Sequence, residues 1–221
     1  MIESGRIVII SGASQSGKTS YTMRAVKDAK RILAWDAHDQ WGRLPGWRRI
    51  SSLAELRDVV HDAGPMRVAF YPMARGSKKE LFEAFSTAAR YWLLYSGPGV
   101  IIAEELGDSS SSGKASERWG ELLRQALKLG GTIYAIAQRW AEADKTAFGN
   151  ASEIVCFRLS RTVDREYMAR EMDVPVSDIV ALVPTLGADG RPVALPYIRV
   201  TSTREIEHGE IRFKRIVRPG R

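Results

Sequence analysis

The chain has 221 residues, 44% of them hydrophobic, enough for one α/β domain with a sizeable core. It has no run of about 18 apolar residues, which excludes a transmembrane helix. The single cysteine and three scattered histidines exclude a disulfide framework and a zinc-ligand pattern, while a net charge of +7 raises the expectation of a polyanionic partner.

Apolar runs of four to six residues alternate with amphipathic segments, the pattern of parallel strands joined by crossover helices. The opening, Met1-Ile2-Glu3-Ser4-Gly5, has neither the basic start nor the apolar stretch of a signal peptide. Residues 6–10 read as a strand, 17–28 as the helix after it, and 31–35 as a second strand ending at Asp36. A helix is predicted over 53–61, where Leu53, Leu56, Val59 and Val60 share one face. Residues 66–71 form a strand stopped by Pro72, and 81–94 a helix with Phe82, Phe85, Ala89, Trp92 and Leu93 inward. After the break at Gly97-Pro98-Gly99, residues 100–103 are wholly apolar, as expected of a strand covered on both faces at the centre of a sheet. A polar loop over 107–116 precedes a helix over 118–129 and a strand over 132–137 ending in Gln138-Arg139. Residues 154–157 make the next strand, with Cys156 as a buried thiol that fits a cytosolic compartment, and 164–171 a helix. After Pro175 the pattern weakens, and 193–200 and 207–214 either pair as a hairpin or form separate edge strands. No repeat or boundary appears, so the expectation is a single domain over 1–221, with 176–221 as C-terminal strands and a basic tail holding Arg212, Lys214, Arg215, Arg218 and Arg221.

Gly12-Ala13-Ser14-Gln15-Ser16-Gly17-Lys18-Thr19 matches G-x-x-x-x-G-K-[ST], the P-loop or Walker A pattern, between a β-branched strand and a helix. Gly12 allows a tight turn out of the strand, and Gly17 lets the backbone approach phosphate without a Cβ. The N–H groups of the loop form an anion nest backed by the helix N-terminus. Lys18 supplies charge to the β- and γ-phosphates, and the Thr19 hydroxyl is a Mg²⁺ ligand. Together with Ser20, these residues are the candidate ATP-binding set.

Such a loop needs an acid on a nearby strand to hold Mg²⁺ and a base to orient water. Glu104 and Glu105, directly after the strand over 100–103, supply both. Glu104 is the metal-side candidate and Glu105 the base, although the roles could be exchanged and Asp36 or Asp108 could contribute. Gln138, at the end of the next apolar strand, can bond the γ-phosphate or the lytic water. The catalytic candidates are therefore Lys18, Glu104, Glu105 and Gln138.

Ala135-Ile136-Ala137-Gln138-Arg139-Trp140-Ala141-Glu142-Ala143-Asp144-Lys145 is similar to a strand, Gln-Arg-Pro and nearby Asp-Lys pattern, and Ile154-Val155-Cys156-Phe157-Arg158-Leu159 to the strand after it. With the P-loop and the acidic strand, this resembles the FtsK–HerA superfamily over about residues 5–172. Within that superfamily the small size looks like the genome-packaging ATPases of tailless, internal-membrane double-stranded DNA viruses. The resemblance implies a three-layer P-loop NTPase fold of the additional-strand class, with a mostly parallel central sheet and a short β-rich C-terminal extension. It also implies a homo-oligomeric ring, with a hexamer expected, that pumps double-stranded DNA into a capsid. Such a motor works in the host cytoplasm and at the virion packaging vertex, beside vertex or portal proteins. Trans-acting arginines are expected at the subunit seam, with Arg124, Arg158 and Arg161 as candidates. Three positions depart from the family: Glu104-Glu105 replaces Asp-Glu, Trp140 stands where proline is common, and Lys128 stands near a frequent arginine.

Two segments are candidates for touching DNA. The serine-rich loop over 107–114 follows the acidic strand and could move Lys114 and Arg118 against DNA in a pore. Trp41, Gly42, Arg43, Trp47, Arg48 and Arg49 could stack on bases or contact phosphates, with surface packing as the other reading. Rival functions are a filamentous-phage assembly ATPase, which normally carries a membrane segment, a small-molecule kinase, which needs an arginine-bearing lid, and a nucleotide-gated DNA-binding switch.

Overall fold

The computed structural model describes residues 5–109, 116–140 and 146–213. Strands β1 (Arg6–Ser11), β2 (Arg31–Trp35), β3 (Arg48–Ile50), β4 (Met66–Phe70), β5 (Val100–Ala103), β6 (Thr132–Ala137) and β7 (Glu153–Phe157) are all parallel. A two-residue strand, β8 (Thr185–Leu186), flanks the long hairpin of β9 (Pro192–Thr201) and β10 (Ile206–Arg212). The sheet runs β10-β9-β7-β1-β6-β5-β2-β4-β3, with β9 antiparallel to β7 and β8 paired to β9. Of the two readings left open for the C-terminal strands, the hairpin is the one found: Ile206 pairs with Val200 and Arg212 with Ala194. In this order β6 lies between the P-loop strand β1 and the acidic strand β5, the additional strand expected from the sequence.

The two faces of the sheet are read off alternate residues of each strand. Ile7, Ile9, Leu33, Trp35, Ile101 and Ile133 face one core, and Val8, Ile10, Ile32, Ala34, Ile102 and Tyr134 the other. The first core takes Phe82, Phe85 and Trp92 from α3 (Lys78–Ser96), after α1 (Lys18–Ala25) and α2 (Leu53–Val59) in the chain. It also takes Leu106 from α4 (Leu106–Ser109), Trp119, Leu122 and Leu123 from α5 (Glu117–Ala126), and Ala147 from α6 (Thr146–Gly149). Tyr167, Met168 and Met172 of α7 (Thr162–Met172) and Ile179 of α8 (Val176–Val180) complete it. The second core is thinner and is closed by Val26, Trp41, Leu195 and Ile211. Each large side chain buried this way contributes on the order of 2 kcal/mol.

Several boundaries differ from expectation, and the clearest have local reasons. Helix α3 begins three residues early because Ser77 and Glu80 form a complete capping box. Helix α5 stops at Ala126, and Gly130 takes φ 70° in the turn beyond it. The charged segment over 48–50 is a parallel edge strand, in which two exposed arginines precede a buried Ile50. Cys156 is fully buried, as expected of a thiol in a central strand. No helix among the described residues is long and apolar enough to cross a membrane.

Candidate nucleotide site

The parallel register brings three chain segments to one edge of the sheet. Ser11 pairs with Ala137 and Ala103 with Ala135, so the P-loop, Gln138 and Glu104 emerge side by side from β1, β6 and β5. Clefts in open α/β sheets form at this carboxyl edge. Here the cleft encloses about 310 Å³, between Ser14, Gln15, Lys18 and Thr19 on one side and Glu104, Glu105 and Gln138 on the other.

The loop is shaped by its two glycines. A Cβ on Gly12 would sit 2.8 Å from the Phe157 Cβ and closer still to the Ser16 Oγ. Gly17 has φ 114°, and a side chain there would meet Phe157 Cε1 at 3.0 Å. Gln15 takes the left-handed conformation at φ 58°, which turns the loop without glycine. The loop is tied to β7 where the Ala13 N–H donates to the Arg158 carbonyl at 2.9 Å. Lys18 Nζ donates to the carbonyls of Gly12 at 2.7 Å and Ala13 at 2.9 Å, which holds the ammonium over the loop. Burial pushes the Lys18 ammonium below its ordinary range, while Glu105 and Glu104 pull it back up.

Opposite the loop, Glu104 is only 4% exposed and its Oε1 is buried without a hydrogen-bond partner. Burial pushes its carboxyl up to about 7. The Trp41 indole N–H beside it works in the other direction, short of a complete hydrogen bond, and the nearby Asp36 charge adds to the rise. Glu105 holds φ 51°, an uncommon conformation for a non-glycine residue. Its Oε1 accepts a 2.8 Å hydrogen bond from Gln138 Nε2, so the structure joins these two sequence candidates directly.

The other acidic candidates fare differently. Asp36 is fully buried and accepts the N–H groups of Gln40 at 2.7 Å and Gly42 at 2.8 Å, so it folds the loop after β2. Asp108 lies on α4. His38 and Gln40, from the loop that Asp36 folds, line the cleft, and neither was singled out in the sequence. Their signal was positional: they follow the strand next to β5 at the same carboxyl edge. Trp140, where the resembled pattern has proline, is a side-chain anchor: its buried indole N–H donates to the Ile10 carbonyl at 3.1 Å.

No protein-family model matches the chain. Over 179 residues it is 32% identical to Protein P9 of Pseudoalteromonas phage PM2, a match spanning 79% of this chain and 78% of that protein. The chain belongs to the Protein P9 family. The structure of the genome-packaging NTPase B204 from Sulfolobus turreted icosahedral virus 2, in complex with AMPPCP, matches with a TM-score of 0.71 at 15% identity, over 93% of this chain and 97% of that one. B204 from Sulfolobus turreted icosahedral virus matches at 0.66, also at 15% identity, over 92% and 96%. The cytoplasmic domain of the Thermomonospora curvata Type VII secretion ATPase EccC matches at 0.53 and 15% identity, over 95% of this chain and 25% of that one. At such identities the likeness is one of fold, and the fold is the P-loop NTPase fold expected from the sequence. The resemblance to viral packaging ATPases read there is met in the B204 comparison.

The remaining candidates of this P9-family chain are spread out. Arg158 directly follows β7 beside the P-loop, and Arg161 is exposed just before α7. Arg124 is exposed in the last turn of α5, which leads back to the start of β6 and away from the cleft. Lys114 lies outside the described residues. The Arg118 guanidinium is engaged by Glu121 at 3.3 Å. In the aromatic–basic cluster over 41–49, Trp41 is buried against Trp47 with ring centres 5.1 Å apart, and the exposed Arg43 and Arg49 both bind Asp39.

Proposed function

We propose that this chain is an ATP-hydrolysing motor that drives double-stranded DNA into a viral capsid. One observation carries the reading: the Lys18 loop and the Gln138–Glu105 pair face each other across one cleft. The loop amides, Lys18 and the N-terminus of α1 would bind the triphosphate. Among the described residues no cluster of three or more His, Cys, Asp or Glu side chains stands ready to hold a metal alone. Mg²⁺ enters a site of this kind with phosphate oxygens and one or two protein ligands. Thr19 and Glu104, whose Oε1 is buried without a partner, would hold the ion, which would neutralise charge on the transferring phosphoryl group. Glu105 orients and deprotonates the attacking water, and Gln138 fixes the rotamer of Glu105 and senses the γ-phosphate.

The motor role is supported by family membership and by the fold shared with B204, which is named a genome-packaging NTPase. In this reading the unit over 1–221 works as a ring of identical copies, with a hexamer expected, at the packaging vertex beside capsid or portal proteins. Arg124, Arg158 or Arg161 acts on the neighbouring copy's nucleotide, and the DNA contacts include Lys114 and Arg118. Steady-state ATP hydrolysis with Mg²⁺, with and without double-stranded DNA, tests it. Double-stranded DNA should raise turnover severalfold, and Lys18→Ala should remove it. Turnover indifferent to DNA would refute the motor, and unchanged turnover in Lys18→Ala would refute the site.

A further inference from the structure

A second hollow lies on the other flank of the P-loop. It encloses about 170 Å³ and shares Gln15, Lys18 and Thr19 with the acidic cleft. Beyond the loop and the start of α1, its lining comes from Leu195 on β9 and Phe213 just past β10. The acidic cleft holds Glu105 and Gln138, so the γ-phosphate end of a bound triphosphate belongs there. A nucleotide laid along the loop in that direction brings its nucleoside to the opposite flank, beside Leu195 and Phe213.

We infer that Leu195 and Phe213, carried by the C-terminal hairpin, form the seat of the nucleotide base. This rests on the P-loop reading above and adds the part of the ligand that the loop does not touch. Phe213 is a large aromatic left 41% exposed, yet its backbone is pinned, its N–H donating to the Val193 carbonyl at 3.0 Å. The Arg24 guanidinium, from α1 itself, donates to the carbonyl of Arg212 and ties the same strand end to the P-loop helix. Leu195 Cδ1 lies 3.2 Å from where a Gly17 side chain would be, so the hairpin touches the loop directly. Underneath, the rings of Tyr21, Phe157 and Tyr197 meet pairwise at centroid distances of 5.2–5.9 Å and hold β9 against α1. An exposed ring on a braced backbone beside a phosphate loop is a stacking platform, and stacking is tolerant of base identity because every base has a π-face. Neither Leu195 nor Phe213 has a side-chain donor or acceptor for the edge of a base. The seat therefore selects nucleoside triphosphates over bare polyphosphate while discriminating weakly between purines.

Calorimetric titration of the full chain with Mg²⁺ and three probes tests this: AMPPCP, its guanine counterpart, and inorganic tripolyphosphate. The parent should bind the two nucleotides within about threefold of each other, and both more tightly than tripolyphosphate. Phe213→Ala should raise the Kd for AMPPCP about tenfold, the scale of one base–aromatic contact, and leave tripolyphosphate within twofold. Phe213→Trp should keep parent-like affinity, and its added indole fluorescence should be quenched by AMPPCP but not by tripolyphosphate. Unchanged AMPPCP affinity in Phe213→Ala, or an equal loss for AMPPCP and tripolyphosphate, overturns the seat while leaving the phosphate loop standing. A parent that binds neither nucleotide nor tripolyphosphate overturns the P-loop reading, and the seat falls with it.

Discussion

Glu104 is a carboxyl group held out of water in the cleft beside the P-loop. Burial raises it to about 7, so between its ordinary value and that point the folded chain binds a proton the unfolded chain releases. Its contribution to stability is therefore full in acid and is lost as the pH rises through about 7. Glu104→Gln removes the penalty. Without nucleotide or metal the variant should melt with the parent near pH 4 and above it at pH 8, by up to roughly 3 kcal/mol in stability. A variant melting below the parent at pH 8 would show that the ionised form is compensated in place. Glu105 belongs to a different case. Its left-handed backbone and its bond from Gln138 orient the side chain toward the cleft. Glu105→Gln should lower kcat by about 10²–10⁴-fold while the Kd for ATP stays within a few-fold of the parent, read by single-turnover hydrolysis and titration. The Glu104-Glu105 pair was legible in the sequence because both acids follow an apolar strand directly. The Trp41 indole beside Glu104 was not, because 63 residues of chain separate them.

At the scale of the element, the P-loop is a turn with no room for two side chains. Gly12→Ala places a methyl group against Phe157 and Ser16, and the loop must open to take it. Such overpacking costs about 1–3 kcal/mol, and it should remove nucleotide binding in calorimetry even where the fold survives. Normal affinity in Gly12→Ala would show that the loop is not held against β7. Helix α3 offers the control. Ser77→Ala breaks the capping box at residues that do not line the cleft and should cost about 1 kcal/mol in chemical denaturation, with ATP affinity unchanged. The start of α3 was readable from Ser77 and Glu80 at capping-box spacing, but apolar periodicity alone places it at 81 because the first turn is wholly exposed. Strand β3 escaped for a related reason. Two of its three residues are arginines on the sheet edge, and pairing with β4 is what makes them a strand.

Across the whole molecule the hairpin completes both the sheet and the nucleotide wall. Strand β9 pairs antiparallel along β7 and buries Leu195, Ile198 and Val200. A chain ended after Leu186 would expose that edge and should lose its cooperative melt. A cooperative melt with ATP still bound would show the hairpin to be an accessory. The weak pattern after Pro175 hid this, because charged residues stand on both faces of β10 and the buried residues of β9 meet partners on β7 and the P-loop that lie well back in the chain.

By itself the sequence determined the parallel α/β order, the phosphate loop, the acids after β5 and the glutamine after β6. Those signals are local: strand runs, glycine spacing and strand-end polar residues need no knowledge of distant chain. Tertiary structure alone decided that Gln138 grips Glu105, that Asp36 builds a loop instead of joining the cleft, and that the C-terminal hairpin walls the P-loop. Each of these is a contact across 33 or more residues or a choice of hydrogen-bond partner. Such contacts are settled by which elements the sheet makes neighbours, and that order is written in the packing of the whole chain.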